Sequence, residues 1–434
     1  MGKVLEVREF DSITCNPDFR GEYACLPEKV FYDLAEFIRS FTSDPDHADA
    51  LDFLKISYRR NVGDVISVNN YVGLIQMQNG YQIEVLPKID FGSAPDTGNT
   101  ETKRVFLRML RSMKDFPGKV SDSADLKVSR MNLYEIFISM YLDEVRILVK
   151  HGIRSAYIRQ EGNLSYYKGK LCTGEQIKQN AAHAERFYMQ YDEYQVNRAE
   201  NRIVKTTLQK LQRESANARN QKEIRQLLAY FEMVELSVNP EKDFAQVSVD
   251  RSTRDYEILM RWSKVFLFNL SFSAFSGGTK AKALLFPMEK VFETYVADRL
   301  KKCLADLPWE ISVQDKGHYL FDSPRRFSLR PDIVITRDDG STVILDTKWK
   351  SLCDIPEKNY GIAQADMYQM YAYAKKYETS EVWLLYPVNQ EMRGHEQISF
   401  ESCDGVKVQL FFVDVANIEE SFRIFRKTLC KLNI

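Results

Sequence analysis

The hydrophobic positions of the first 120 residues predict a β-rich region with one helix. Glu28 to Phe41 carries apolar side chains at helical spacing. Two hairpins follow: Lys55 to Asn69 turns at Asn61 to Asp64, and the next two strands flank Asn79-Gly80. Asn-Gly is a strong hairpin signal because both residues tolerate positive φ. The stretch Asp90 to Thr102 is rich in Gly, Pro and Thr, which predicts a loop.

The pattern becomes helical between about residues 121 and 280. Apolar stripes predict helices at Leu133–Val149 and Asn197–Leu211, and a third running through Ile224 to Phe231. We interpret most of the Lys and Arg side chains around these stripes as the solvated face of amphipathic helices. The pair Gly277-Gly278 is predicted to be a hinge.

The region after residue 280 predicts an α/β core. Pro287 suits the first turn of a helix whose inner stripe runs from Met288 to Arg299. We therefore expect a multidomain α+β protein, with a β-rich domain at 1–120, a helical middle at 121–280 and an α/β domain with a mixed sheet at 281–434. The further elements predicted in that last domain are strands Trp309–Val313, Leu329–Thr336 and Thr342–Lys348, helix Ile362–Tyr377, strands Val382–Tyr386 and Val406–Val415, and helix Ile418–Leu432.

Composition narrows the function classes. Hydrophobic residues make up 44% and charged residues 28%, the balance of a globular protein. The net charge of −1 excludes a strongly basic protein that coats nucleic acid, but it does not exclude a local basic cleft. Seven cysteines without a CxxC pair indicate reduced thiols, and the five scattered histidines disfavour a zinc site. Because no apolar stretch is long enough for a membrane span or a signal peptide, we expect a soluble cytoplasmic protein.

The most informative residues are Asp332, Asp346 and Lys348, on two apolar strands joined by a tight turn. In an antiparallel pair these positions converge at one end of the sheet, and Asp346 and Lys348 share a face. Two carboxylates offer hard ligands for Mg²⁺, and a lysine can polarise water. The alternative is that Asp332 is a simple turn residue after a proline, and that Asp346 and Lys348 are an exposed pair on a strand. The apolar residues before Asp346 argue against it, because an unpaired buried carboxylate is costly.

Three further residues fit the same interpretation. Glu293 lies at the edge of the inner stripe of its helix, although a solvated surface Glu is an equally open interpretation. Gln369 and Tyr373 are four residues apart and share a helix face, a spacing that Gln364 and Tyr368 repeat. Tyrosine stripes usually belong to a core. The order Glu, PD, DTK and QxxxY is nevertheless specific.

This order resembles the PD-(D/E)xK nuclease superfamily, with QxxxY typical of its RecB-like branch, and most closely the McrC family. The resemblance implies metal ligands at Asp332 and Asp346, a catalytic lysine at Lys348, and supporting positions at Glu293, Gln369 and Tyr373. The motifs that carry it, spread over most of the chain, are VGLIQMQNGYQIEVLPKI, the central GKL, EQIKQN and YDEYQVNRAENRIVKTTL segments, MEKVFETYVADRL, RPDIVI, LDTKWK and DMYQMYAYAKKY.

The resemblance also implies a function. It is that of a Mg²⁺-dependent endonuclease subunit that cuts double-stranded DNA with modified cytosine and stimulates a hexameric McrB-like AAA+ GTPase. GTP is expected on that partner, because this sequence has no GxxxxGK[ST] motif. The N-terminal hairpins are candidate insertion elements with contacts at Arg59, Arg60 and Lys88, although ordinary surface charge explains any one of them more simply. Self-association of the nuclease domain is left open.

Two rival functions are kept. A stand-alone PD-(D/E)xK repair nuclease would cut unmethylated DNA as a purified single chain. A non-catalytic assembly factor would only activate the partner GTPase, but the intact set of two aspartates and a lysine argues against it. A neighbouring reading frame for an AAA+ GTPase would identify the system.

Overall fold

The structure is a computed structural model that describes residues 3–42, 53–89, 95–113, 116, 131–247, 254–268, 281–395 and 397–431. The chain divides into two compact units. The split unit combines residues 3–116 with 277–434, and the middle unit contains residues 131–276. The predicted first and last domains therefore lie in one unit, although the sequence analysis set them apart. The predicted hinge Gly277-Gly278 is outside the described residues.

The N-terminal part of the split unit contributes to two four-stranded sheets, with orders β1-β7-β6-β11 and β3-β2-β5-β4, and β11 (Ala281–Pro287) comes from the later part of the chain. Both predicted hairpins are confirmed, as the antiparallel pairs β4–β5 and β6–β7. The elements of this part are β1 (Val4–Arg8), β2 (Ser12–Thr14), β3 (Ala24–Cys25), α1 (Glu28–Thr42), β4 (Leu54–Arg59), β5 (Gly63–Val68), β6 (Tyr71–Met77), β7 (Gln82–Leu86) and α2 (Pro95–Leu110).

The prediction of a loop at Asp90 to Thr102 is wrong from residue 95 onward. Helix α2 begins at Pro95, a position where proline is compatible with a helix because its missing N–H would have no partner there. Side chains in the second half of α2, such as Val105, Phe106 and Met109, are fully buried. Their burial holds together a helix whose first turns have poor helix formers. Residues 90–94 lie outside the described residues.

The middle unit contains the three predicted helices and a small sheet that the sequence analysis missed. The sheet has the order β8-β10-β9 and is antiparallel. In its two long strands, polar side chains occur on both faces, so neither strand has the continuous apolar face that identifies a strand in a sequence. The elements are α3 (Leu133–His151), β8 (Ala156–Leu164), β9 (Lys170–Leu171), α4 (Thr173–Asn180), β10 (Phe187–Gln195), α5 (Ala199–Glu214), α6 (Ala218–Tyr230), α7 (Pro240–Gln246) and α8 (Arg254–Phe268).

A buried glutamate joins the helices of the middle unit. The Glu135 carboxylate on α3 accepts hydrogen bonds from Ser215 Oγ at 2.7 Å, the Ala216 N–H at 2.6 Å and Asn220 Nδ2 at 2.7 Å. These donors lie in the connection between α5 and α6 and in the first turn of α6. The polar break between these two helices is therefore an ordered connection.

The C-terminal part of the split unit is built on a six-stranded mixed sheet with the order β12-β15-β16-β17-β19-β18. Strand β15 is antiparallel to β16, whereas β16, β17 and β19 are parallel to one another. The elements are β11 (Ala281–Pro287), α9 (Met288–Cys303), β12 (Glu310–Val313), β13 (Tyr319–Asp322), β14 (Arg325–Ser328), β15 (Ile333–Thr336), β16 (Thr342–Thr347), α10 (Gln364–Lys376), β17 (Glu381–Pro387), β18 (Ser399–Glu401), β19 (Lys407–Val413) and α11 (Ile418–Lys431).

Strand β11 connects the two parts of the split unit. It pairs with β6 along its whole length, from Ala281 opposite Met77 to Pro287 opposite Tyr71. Pro287 is therefore the last residue of a strand and the N-cap of α9, not a residue of the first helical turn as predicted. The chain runs directly from the N-terminal sheet into α9, the helix that carries Glu293.

We predict that Gly73→Ala destabilises the split unit by about 3 kcal/mol or more. Gly73 lies on β6 with φ +145°, and a Cβ there would overlap the backbone carbonyl oxygen of Leu284 on β11. Gly80→Ala is the matched control, because Gly80 has φ +78° but open space around its Cα, and should cost about 1–2 kcal/mol. Urea unfolding measures both. Equal losses would contradict the close approach of β11 to β6.

Candidate active site

The two strands that carry the candidate carboxylates are buried and apolar. Side chains of Ile333, Ile335 and Leu345 are fully buried, and Ile333 lies opposite Leu345 in the antiparallel register. The same register places Asp332, just before β15, opposite Asp346 near the end of β16. The apolar core thus ends where the two carboxylates meet, as the sequence analysis predicted.

Asp346 and Lys348 form an ion pair inside the protein. Asp346 is 2% exposed, and Lys348 Nζ lies 2.5 Å from Asp346 Oδ2. Nevertheless, Oδ2 has no hydrogen bond of acceptable geometry within the described part of the chain. The ammonium of Lys348 offsets part of the charge on Asp346, whose pKa nevertheless stays raised. The predicted common face of these two residues is confirmed.

The Asp332 carboxylate is held by neighbouring donors. Oδ2 accepts hydrogen bonds from the backbone N–H of Thr347 at 2.7 Å and from Thr347 Oγ1 at 2.6 Å. Its other oxygen accepts a longer bond from Gln314 Nε2 at 3.3 Å. Thr347 lies between Asp346 and Lys348 and was not singled out in the sequence. Thr347 ends β16, and its two hydrogen bonds fix the orientation of the Asp332 carboxylate, which precedes β15.

Gln314 brings Glu293 to the cluster. Its Nε2 donates to Glu293 Oε1 at 2.6 Å as well as to Asp332. Gln314 follows β12, whose register pairs Val313 with Ile333, so it stands opposite Asp332. Its φ is +54°, an uncommon conformation for a residue with a side chain. Gln314 was not predicted from the sequence, because its position opposite Asp332 follows only from the pairing of β12 with β15.

The candidate pair Gln369 and Tyr373 also joins the cluster. Lys348 Nζ donates to Gln369 Oε1 at 3.1 Å, and Gln369 Nε2 donates to the Tyr373 hydroxyl at 2.7 Å. The repeated pair behaves differently: Gln364 bonds to Tyr368, whose side chain is exposed. Of these two pairs, the pair Gln369 and Tyr373 is therefore the one that contacts the candidate site.

Burial and mutual repulsion perturb the acids of the cluster. Desolvation, followed by the charge of Asp332, raises the pKa of Asp346 to about 7. The same two causes raise the pKa of Glu293 to about 7, and burial raises the pKa of Asp332. Burial alone would lower the pKa of Lys348, but the charges of Asp346, Asp366 and Asp332 together outweigh this effect, and the net shift is upward. Lys348 is therefore protonated, in a cluster with more carboxylates than cations.

The donor atoms suit a hard cation. Over the described ranges, no group of three or more His, Cys, Asp or Glu side chains is placed to hold a metal ion. The cluster instead offers two carboxylates, one of them with an oxygen that lacks an aligned donor. Mg²⁺ is commonly bound through one or two carboxylates while it keeps several waters. Asp332 and Asp346 fit such a cation.

The candidate partner contacts lie on the surface. Arg59 is exposed and donates to the Tyr23 hydroxyl at 2.9 Å, and Arg60 is also exposed. Lys88 Nζ is 5.9 Å from the ring centre of Phe10. None of these three residues takes part in the carboxylate cluster.

Comparison with known proteins identifies the family. The family model described as "McrBC 5-methylcytosine restriction system component" matches residues 66–387, well over half of the chain. The chain belongs to the McrBC family. This confirms at family level the resemblance to McrC found in the sequence. No curated protein matches the chain.

Two solved structures share the fold of this McrBC family member. One is described as a refined half-complex from a tetradecameric assembly of Thermococcus gammatolerans McrB AAA+ hexamers with bound McrC. It has 18% identity and a TM-score of 0.72, covering 98% of this chain and 100% of that chain. The other, the Thermococcus gammatolerans McrBC complex, has 20% identity and a TM-score of 0.52, covering 70% and 89%. No helix in the described segments is long and apolar enough to cross a bilayer.

We predict that Thr347→Val destabilises the protein by about 1.5–3 kcal/mol, because it removes a hydrogen bond to the partly buried Asp332 carboxylate without changing side-chain size. Thr294→Val is the control. The Thr294 hydroxyl donates to the Lys290 carbonyl on an exposed helix face, and loss of this hydrogen bond should cost no more than about 0.5 kcal/mol. Denaturant unfolding compares the two, and equal effects would show that the Asp332 contact adds no stability.

Proposed function

We propose that this chain is the McrC-type subunit that cuts DNA in a GTP-dependent restriction complex, through a PD-(D/E)xK site in its C-terminal part. The observation that carries the proposal is the buried ion pair of Asp346 and Lys348 opposite Asp332, where two apolar strands end. A fold seldom keeps an excess of carboxylates in such a place without a function, because each costs free energy when desolvated.

In the proposed reaction, Asp332 and Asp346 hold Mg²⁺. When bound, the cation polarises a phosphoryl oxygen and lowers the pKa of water. Lys348 is protonated and donates hydrogen bonds, so its task is to orient the attacking water and to offset negative charge as the phosphodiester reacts. Gln369 accepts from the ammonium, and Tyr373 accepts from Gln369, so these two residues restrict where Lys348 points.

Glu293 is the best candidate for proton exchange. With a pKa of about 7, its carboxyl can accept and return a proton near neutral pH. Gln314 holds Glu293 and Asp332 with one amide nitrogen, which keeps the two carboxyl groups close despite their repulsion. We propose that Glu293 assists water activation next to the ion pair.

The proposed partner is a McrB-like AAA+ GTPase that binds GTP, and the proposed substrate is double-stranded DNA with modified cytosine. Support comes from the family description, which names 5-methylcytosine restriction, and from the McrB AAA+ hexamers with bound McrC among the similar structures. We propose the exposed β4–β5 turn, with Arg59 and Arg60, as a docking element. The assembly-factor alternative does not require the pairing of Asp346 with Lys348, which favours the nuclease.

We predict that Lys348→Ala lowers DNA cutting by about 10²–10⁴-fold. Stimulation of the partner's GTP hydrolysis should stay near normal, because Lys348 contacts Asp346 and Gln369 within the site. The assay contains partner, GTP, Mg²⁺ and a methylated duplex, and it scores strand cutting and phosphate release in one tube.

Lys376→Ala is the matched control. Lys376 also forms an ion pair, at 2.7 Å to Asp322, in the same part of the fold but at the surface. It should leave both cutting and GTP turnover unchanged. If Lys348→Ala cuts normally, the assignment of the site fails, and if GTP turnover collapses with cutting, the two activities are coupled at this lysine.

We predict that Asp346→Asn weakens Mn²⁺ or Mg²⁺ binding by about tenfold or more, or ~1.4 kcal/mol, because one of two charged ligands is lost. Asp404→Asn is the control, since Asp404 also forms a lysine ion pair, at 2.6 Å to Lys375, outside the cluster. Calorimetric titration of the purified chain measures both. Unchanged affinity in Asp346→Asn would exclude this carboxylate as a ligand.

A further inference from the structure

Trp349, the residue after Lys348, has an enclosed side chain. It is 5% exposed, and its ring lies 5.2 Å from the ring of Phe292, centre to centre. Phe292 precedes Glu293 on α9. One indole therefore packs beside the segments that carry two residues of the candidate site.

A carboxylate from the N-terminal region holds this indole. Trp349 Nε1 donates to both oxygens of Glu9, at 3.2 and 3.0 Å. Glu9 is 0% exposed and follows β1, and its Oε2 also accepts the backbone N–H of Lys88 at 3.0 Å. Burial is the main reason why the pKa of Glu9 rises to about 7. The fold retains a costly buried acid here, and its side-chain partner is the residue next to Lys348.

We infer that Glu9 is a positioning residue for the proposed nuclease site, acting through Trp349 on the chain segment that presents Lys348. The inference rests on the proposed function. The last pairing of this segment with the sheet is the bond from the Lys348 N–H to the Leu385 carbonyl, at 2.9 Å. The next residue, Trp349, is held by the hydrogen bonds of its indole to Glu9. The N-terminal segment is thus part of the catalytic unit as well as a candidate docking region.

The test uses two conservative variants and their combination in the full chain. Trp349→Phe keeps an aromatic ring against Phe292 but removes the N–H, and Glu9→Gln keeps the size but replaces one acceptor with a donor. In the assembled complex, each should lower kcat for DNA cutting by about 10–100-fold and change KM by less than about twofold. The double variant should be no worse than the poorer single variant, because both changes act on the same contact between the indole N–H and residue 9.

A second readout does not depend on DNA cutting. Reductive methylation of the isolated chain, followed by mass spectrometry, gives the reaction rate of each lysine. In wild type, Lys348 should react slowly because its side chain is only 19% exposed and its ammonium is paired with Asp346. In both single variants its rate should rise severalfold relative to Lys376. This readout distinguishes the two proposals: if the wild-type complex cuts no DNA, the proposed function fails, and the methylation rates still decide the role of Glu9.

Leu34→Ala is the control for a general loss of stability. Leu34 is fully buried on α1, in the same unit but outside the described contacts of Trp349. It should lower the unfolding temperature while leaving kcat and the Lys348 methylation rate unchanged at a temperature where circular dichroism shows every variant folded. Unchanged Lys348 reactivity in Glu9→Gln and Trp349→Phe would overturn the inference. So would a Leu34→Ala variant that reproduces their effects.

Discussion

The contact on which the proposed site depends is the buried ion pair of Asp346 and Lys348. Apolar strands β15 and β16 bring the partly buried Asp332 and the buried Asp346 together, so that the Asp346 charge is largely removed from water. One lysine offsets part of the repulsion, and the pKa of Asp346 still rises to about 7. The remaining negative charge makes this end of the sheet suitable for a hard divalent cation.

The surroundings of the ion pair come from distant parts of the chain. Strand β11 pairs with β6 and leads directly into α9, so the N-terminal sheet fixes the start of the helix that carries Glu293. Glu9 reaches the same region through Trp349. The hairpins proposed for docking and the residues proposed for catalysis therefore lie in one compact unit.

Much of the candidate site could be predicted from local sequence, because the Asp346 and Lys348 spacing, the β15–β16 turn and the four-residue spacing of Gln369 and Tyr373 are short-range features. What the sequence analysis missed depends on contacts between distant residues. Strand β11 forms by pairing with β6, and the role of Glu9 follows from its hydrogen bonds to Trp349, 340 positions away in the sequence. The prediction of a loop at Asp90 to Thr102 failed because burial of the later turns of α2 stabilises this helix despite its weak local helix propensity.

The central claim is that Asp332 and Asp346 form a hard-cation site beside Lys348. The most direct measurement is anomalous X-ray diffraction from crystals of the full chain grown with Mn²⁺, which scatters strongly and accepts the same oxygen ligands as Mg²⁺. The account predicts an anomalous peak within coordination distance of both carboxylates, and its loss in Asp346→Asn crystals. A peak elsewhere in the chain, with none at these carboxylates under saturating Mn²⁺, would contradict the claim.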